Sequence, residues 1–152
     1  MMQITKSKTI KNVVKELILF IIGGLTYVFM EMLFRGYSHI SMFFVGGIAF
    51  LLIGEINEIP KLKSLPLFYQ MCLGSIIITL IELVSGYILN IKLGLNVWDY
   101  SSLPFNFHGQ ICLYFSILWF FVSLIAILLD DYIRYRFFGQ SKAEYKLFCK
   151  YF

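Results

Sequence analysis

Residues 109–129 read GQICLYFSILWFFVSLIAILL, twenty-one positions without a charged side chain or a proline. A helix needs about 20 mostly apolar residues to cross about 30 Å of hydrocarbon, and this stretch meets that demand unaided. Three further segments, 15–35, 39–57 and 66–90, share its character: rich in Leu, Ile, Phe and Val, with no internal proline. Breakers and charges collect between them, at 35–38, 60–66 and 92–107. The pattern predicts an all-α fold. It is a bundle of four transmembrane helices in one integral membrane domain, 1–152, with an outer loop along the membrane interface and a short amphipathic C-terminal helix.

Composition agrees with this reading. The chain is 59% hydrophobic, 18% aromatic and 14% charged, more apolar surface than a soluble core of 152 residues can hide. Its net charge of +4 comes from Lys and Arg beside the apolar spans, a pattern suited to anionic lipid headgroups rather than nucleic acid. Cys72 and Cys112 fall inside spans and Cys149 in the tail, with no CxxC pair, so all three read as reduced packing residues. The first apolar run is long, contains Glu31 and lacks a small-residue cleavage site, which predicts an uncleaved first helix rather than a secretory signal.

Orientation follows from the basic residues flanking the spans. Eleven of the thirteen lie in three segments that four crossings place on one side. These are Lys6, Lys8, Lys11 and Lys15; Lys61 and Lys63; and Arg134, Arg136, Lys142, Lys146 and Lys150. Only Arg35 and Lys92 fall opposite. Both termini are therefore expected in the cytoplasm of a multi-pass plasma-membrane protein. In the tail, 132–152, Lys142, Lys146 and Lys150 recur every fourth residue while Tyr145, Phe148 and Phe152 take other wheel positions. This is the pattern of a basic-aromatic helix lying on an anionic leaflet, or of a solvated extension.

Ionisable groups inside a span are costly and face the bundle interior or a water-filled cavity. Glu31 and Glu82 are two such groups, each about 6–8 Å outside the midplane at 1.5 Å per residue. Arg35, at i+4, can pair with Glu31. Glu82 has Ile78 and Gly86 at those positions, so it must find a Ser, Tyr or backbone partner or serve a function. His39, His108 and Asp99 are expected on the same outer side, but their spacing matches no metal motif and no metal site is assigned. Gly23, Gly24, Gly46, Gly47, Ala49, Gly54, Gly74 and Ser75 mark helix contacts, because helices in lipid associate by close packing.

The connector 91–107 is too apolar for a solvated loop, with Trp98, Tyr100, Leu103, Phe105 and Phe107. Asp99, Ser101 and Ser102 favour a turn, and Pro104 forbids a continuous helix. The segment reads either as an interfacial anchor or as a cap over an outward cavity holding Glu82 and Glu31. No phosphate loop, GxSxG elbow, HExxH or dinucleotide fingerprint is present, so ATP hydrolysis by this chain is excluded and no cofactor is expected.

The run Phe34-Arg35-Gly36-Tyr37-Ser38-His39, with Ser41-Met42-Phe43 and Gly46-Gly47 after it, resembles the putative ABC-transporter type IV family of small bacterial membrane proteins. A second block is similar as well: Trp98-Asp99-Tyr100-Ser101, Pro104, Asn106, Gly109-Gln110-Ile111-Cys112-Leu113 and Trp119. The resemblance spans residues 18–135. It implies a polytopic bacterial plasma-membrane protein with a permease-like role, which would need a separate ATPase or membrane subunit, or a homo-oligomer. The residues expected to serve it are Glu31, Arg35 and Glu82 as substrate or proton pathway, and Trp98, Asp99, Tyr100, Asn106 and Gln110 as outer cap. Two other functions compete: a non-catalytic membrane partner (a regulatory, immunity or assembly subunit), and an enzyme acting on lipid or cell-wall precursors through Glu82, Asp99 or His108.

Overall fold

The computed structural model describes residues 2–147, with side chains from Ile10 to Leu147. Five α-helices form in order: α1 (Met2–Arg35), α2 (Ile40–Glu58), the single turn α3 (Pro60–Lys63), α4 (Leu67–Gly86) and α5 (Leu113–Phe138). Four segments are long and apolar enough to cross a membrane: Ile10–Arg35, Ile40–Glu58, Leu67–Lys92 and Leu113–Phe138. They overlap the four expected spans with shifts at the ends, the largest at α5, which starts four residues after 109 and runs nine past 129. The chain divides into two compact units, Met1–Leu51 and Leu52–Phe152, with α2 passing from one into the other.

In the first unit α1 and the early part of α2 meet through glycine. A Cβ on Gly47 would lie 2.8 Å from the Phe20 carbonyl oxygen, and one on Gly24 would lie 2.5 Å from that of Phe43. The backbones approach so closely that only hydrogen fits, and Phe20 packs edge-on against Phe43 beside the contact. Helix α1 ends at Gly36, whose φ of +74° suits the left-handed cap, with its N–H donating to Met32. At the start of α2, His39 Nδ1 accepts from the Ser41 N–H at 3.2 Å. His39, the residue before the helix, thus caps its N-terminus with its own side chain.

In the second unit α4 and α5 pair by the same device. Gly74 leaves room for Ser123, Ser75 Oγ donates to the Ser116 carbonyl at 2.6 Å, and Thr79 bonds Ser116 Oγ at 3.1 Å. Helix α4 continues as a π-helical turn, Tyr87–Lys92, in which Leu93 N–H reaches back five residues to the Ile88 carbonyl. The wider turn brings Asn90 to a buried position.

The connector after the π turn folds into a compact cap closed by a two-strand hairpin, β1 (Asn106–Phe107) and β2 (Ile111–Cys112). One expectation is corrected. The C-terminal helix expected from Lys142, Lys146 and Lys150 is absent through residue 147. Gly139, at φ +70°, ends α5, and the following residues are non-helical and bond Glu58, Asp131 and Leu67. Their backbone finds tertiary partners there, which a helix starting at Lys142 would forfeit. Phe148, Cys149, Lys150 and Phe152 lie outside the described residues.

Candidate functional site

The cap is built on Asn90. Its carboxamide donates to the Trp98 carbonyl at 3.0 Å and to Gln110 Oε1 at 2.9 Å, and accepts from the Val97 N–H at 2.7 Å. The Trp98 indole donates to the Gln110 carbonyl at 2.9 Å, locking the two ends of the cap together. Asp99 accepts from the N–H and the hydroxyl of Ser101, closing a local turn. Asn106 ties Leu103 to Gly109 through both ends of its side chain. Gly109 is obligatory: its φ is +68°, and a Cβ there would sit 2.7 Å from Asp99 Oδ1.

This framework sets Tyr100 over Glu82. The Tyr100 hydroxyl donates to Glu82 Oε1 at 2.8 Å, and the Trp119 indole of α5 donates to Oε2 at 2.9 Å. Tyr100 also stacks on Phe115, with centroids 4.5 Å apart. Glu82 is 6% exposed, a carboxylate in a span with both oxygens engaged and the cap as its cover. A carboxylate so buried persists only with such donors.

Glu31 lies in the first unit and has its own partners. Arg35 donates to Oε1 at 2.8 Å, and Ser38 Oγ donates to Oε2 at 2.6 Å. The Arg35 guanidinium also bonds the Tyr37 hydroxyl at 2.9 Å and lies over its ring. Each glutamate is thus satisfied within its own unit. His108 bonds Tyr87 at 2.9 Å and stacks on Phe107, while His39 caps α2; among the described residues no three His, Cys, Asp or Glu side chains gather as a metal site.

A second polar cluster went unforeseen. Arg134, counted from the sequence among the leaflet-facing basic residues, is 1% exposed. Its Nε donates to Asp130 Oδ2 at 2.6 Å, and Glu55 and Glu58 lie 3.6 Å from its other nitrogens. Gly54 makes room for Asp130, whose carboxylate a Cβ would strike. Next to it, Asp131 accepts from Asn57 and from the Tyr145 hydroxyl of the tail. Burial, then the bond to Asp131, hold the Tyr145 hydroxyl well above the ordinary tyrosine range, so it remains a donor. The spacing of Asp130 and Arg134 is the same i,i+4 relation that drew notice at Glu31 and Arg35. It was hidden because both residues follow the apolar run and read as its solvated end.

Residues 4–151 match the sequence pattern of the family described as "Putative ABC-transporter type IV". The chain belongs to this family. No curated protein and no solved structure matches it. The two blocks through which the chain resembles the family supply the partners of both buried glutamates: Arg35 and Ser38 around Glu31, Tyr100 and Trp119 around Glu82. Family membership and four apolar helices together describe a multi-pass membrane protein.

Proposed function

We propose that this chain is the permease-like component of a transport system, in which Glu82 holds a proton or a cationic group and the cap carrying Tyr100 closes over it. One observation carries the reading: the buried span carboxylate is bonded from a helix on one oxygen and from a non-helical cover on the other. Lifting the cap removes one donor and admits water, which gives the carboxylate two states of different affinity for a cation. The Glu31–Arg35 pair stabilises the C-terminal end of α1. The family's description names ABC transport, and with no phosphate loop in this chain the ATPase belongs to a separate subunit or the system runs on an ion gradient. A homo-oligomer would supply the further helices a pathway needs.

In this reading both termini lie in the cytoplasm of the plasma membrane, with Lys61 and Lys63 at the anionic leaflet. The experiment is flux in liposomes under an imposed proton gradient. Glu82→Gln abolishes flux or its pH dependence; unchanged flux in that variant rules out the role given to Glu82.

The dense bonding of the cap favours a second reading, a non-catalytic membrane partner. There Phe105 and Phe107, both exposed on the cap, meet another subunit. Stoichiometric co-purification of a membrane protein, with no flux in either preparation, decides for it.

A further inference from the structure

The tail beyond α5 is held by hydrogen bonds at Gln140, Tyr145 and Lys146. Gln140 donates to Glu58 Oε2 at 3.1 Å, Tyr145 donates to Asp131, and the Lys146 carbonyl accepts the Leu67 N–H at 2.7 Å. The third contact is informative. Leu67 opens α4, its N-cap is Pro66, and that proline has no side chain able to accept from the helix. The tail supplies the missing acceptor. Ser141, Lys142 and Glu144 are exposed, and Gln140, Ala143, Tyr145 and Lys146 only half-buried, so no residue of the segment is part of the core. An element fixed by a few hydrogen bonds and otherwise solvated opens locally at low cost.

Beneath the segment lies the most buried charge in the described residues, Arg134 with Asp130. The closure of Asp131 repeats that of Glu82. In each case a carboxylate on a spanning helix takes one bond from a side-chain N–H on another helix (Asn57, Trp119) and one from a tyrosine on a non-helical segment (Tyr145, Tyr100). Glu82 sits sixteen residues after the start of α4 from Pro66, and Asp131 sits on α5 toward its C-terminus, so the two closures occupy opposite ends of one antiparallel pair. Between them α4 and α5 are in close contact where Gly74 meets Ser123 and Ser75 and Thr79 bond Ser116.

We propose that residues 139–147 are a releasable strap, an inner counterpart to the cap, whose undocking opens the Asp131–Arg134 cluster to water. On the transport reading above, strap and cap open in alternation on either side of that close helix contact; the strap itself does not depend on that reading. Its release also leaves α4 without the acceptor at Leu67, coupling the inner closure to the helix that carries Glu82.

Tryptic cleavage after Lys142 in the reconstituted full chain reports strap release and requires no cargo. Cleavage of a locally opened segment tracks the open population. Removing one hydrogen bond to a carboxylate raises that population about tenfold. Tyr145→Phe is expected to accelerate cleavage by that factor, Gln140→Ala to do so more mildly, and Tyr135→Phe, on the exposed face of α5, not at all. Wild-type cleavage rates in both Tyr145→Phe and Gln140→Ala would overturn the strap. Where flux is measurable, faster cleavage with altered flux supports alternation, and faster cleavage with unaltered flux overturns it. Faster cleavage in a chain that passes no ion under any gradient leaves the strap standing and refutes the transport reading instead.

Discussion

Replacing Arg134 by Ala tests how the second unit holds its charge. The guanidinium is 1% exposed and the Asp130 side chain 0%, joined at 2.6 Å, so the pair lives away from water. Truncating one partner of such a pair costs about 3–5 kcal/mol, because the other charge stays buried without compensation. Glu55 and Glu58 add little. Their side chains are 46% and 31% exposed at 3.6 Å, and pairs of that kind are worth about 0–1 kcal/mol after solvent screening. The loss therefore comes from Asp130, and Asp130→Asn in the Arg134→Ala background should recover much of it. At about 2–4 °C per kcal/mol for a chain of this size, the single variant should melt at least 6 °C below wild type in a thermal scan of detergent-solubilised protein. A shift under 2 °C, or a double variant no better than the single one, would refute the account of Arg134 as counter-charge to Asp130.

Two further outcomes follow from the packing. Asn90→Ala removes three bonds at the root of the cap, so hydrogen exchange at Val97 to Tyr100 should rise at least tenfold while α1 is unaffected; equal protection would mean the cap stands without Asn90. Gly47→Leu drives a side chain into the Phe20 carbonyl and should destabilise the α1–α2 contact by about 1–3 kcal/mol, read as lost thermal stability; Ile48→Leu, on an exposed position, is the matched control.

The spans were legible because lipid imposes one crude requirement, length of apolar run, and residues 109–129 or 39–57 meet it without help from any neighbour. The glycines were legible for a related reason: in a span a Gly at the contact face has few other uses, and Gly24, Gly47 and Gly74 all sit against another element. The pairing of Glu31 with Arg35 is local and could be written from spacing. The cap could not. Its order depends on Asn90 turned inward by a π-helical turn and on Gln110 twenty residues later, and neither the extra residue in the turn nor a contact across that separation leaves a periodic trace. The tail misled for the opposite reason. A four-residue recurrence of lysine does satisfy a helical wheel, but the acceptor missing at Leu67 and the donor wanted by Asp131 outbid local propensity.

Arg134 shows why charge counting and structure ask different things of one residue. The count that orients a membrane protein concerns which side of the bilayer a cation reaches during insertion, and it holds whether the cation later faces lipid or protein. Burial afterwards decides what the charge does. Here the guanidinium pairs with Asp130 on its own helix, and Glu55 and Glu58 of α2 lie 3.6 Å from its other nitrogens. A basic residue engaged in packing is unavailable to solvent or lipid, whereas Lys61 and Lys63 of the α2–α4 connection are exposed.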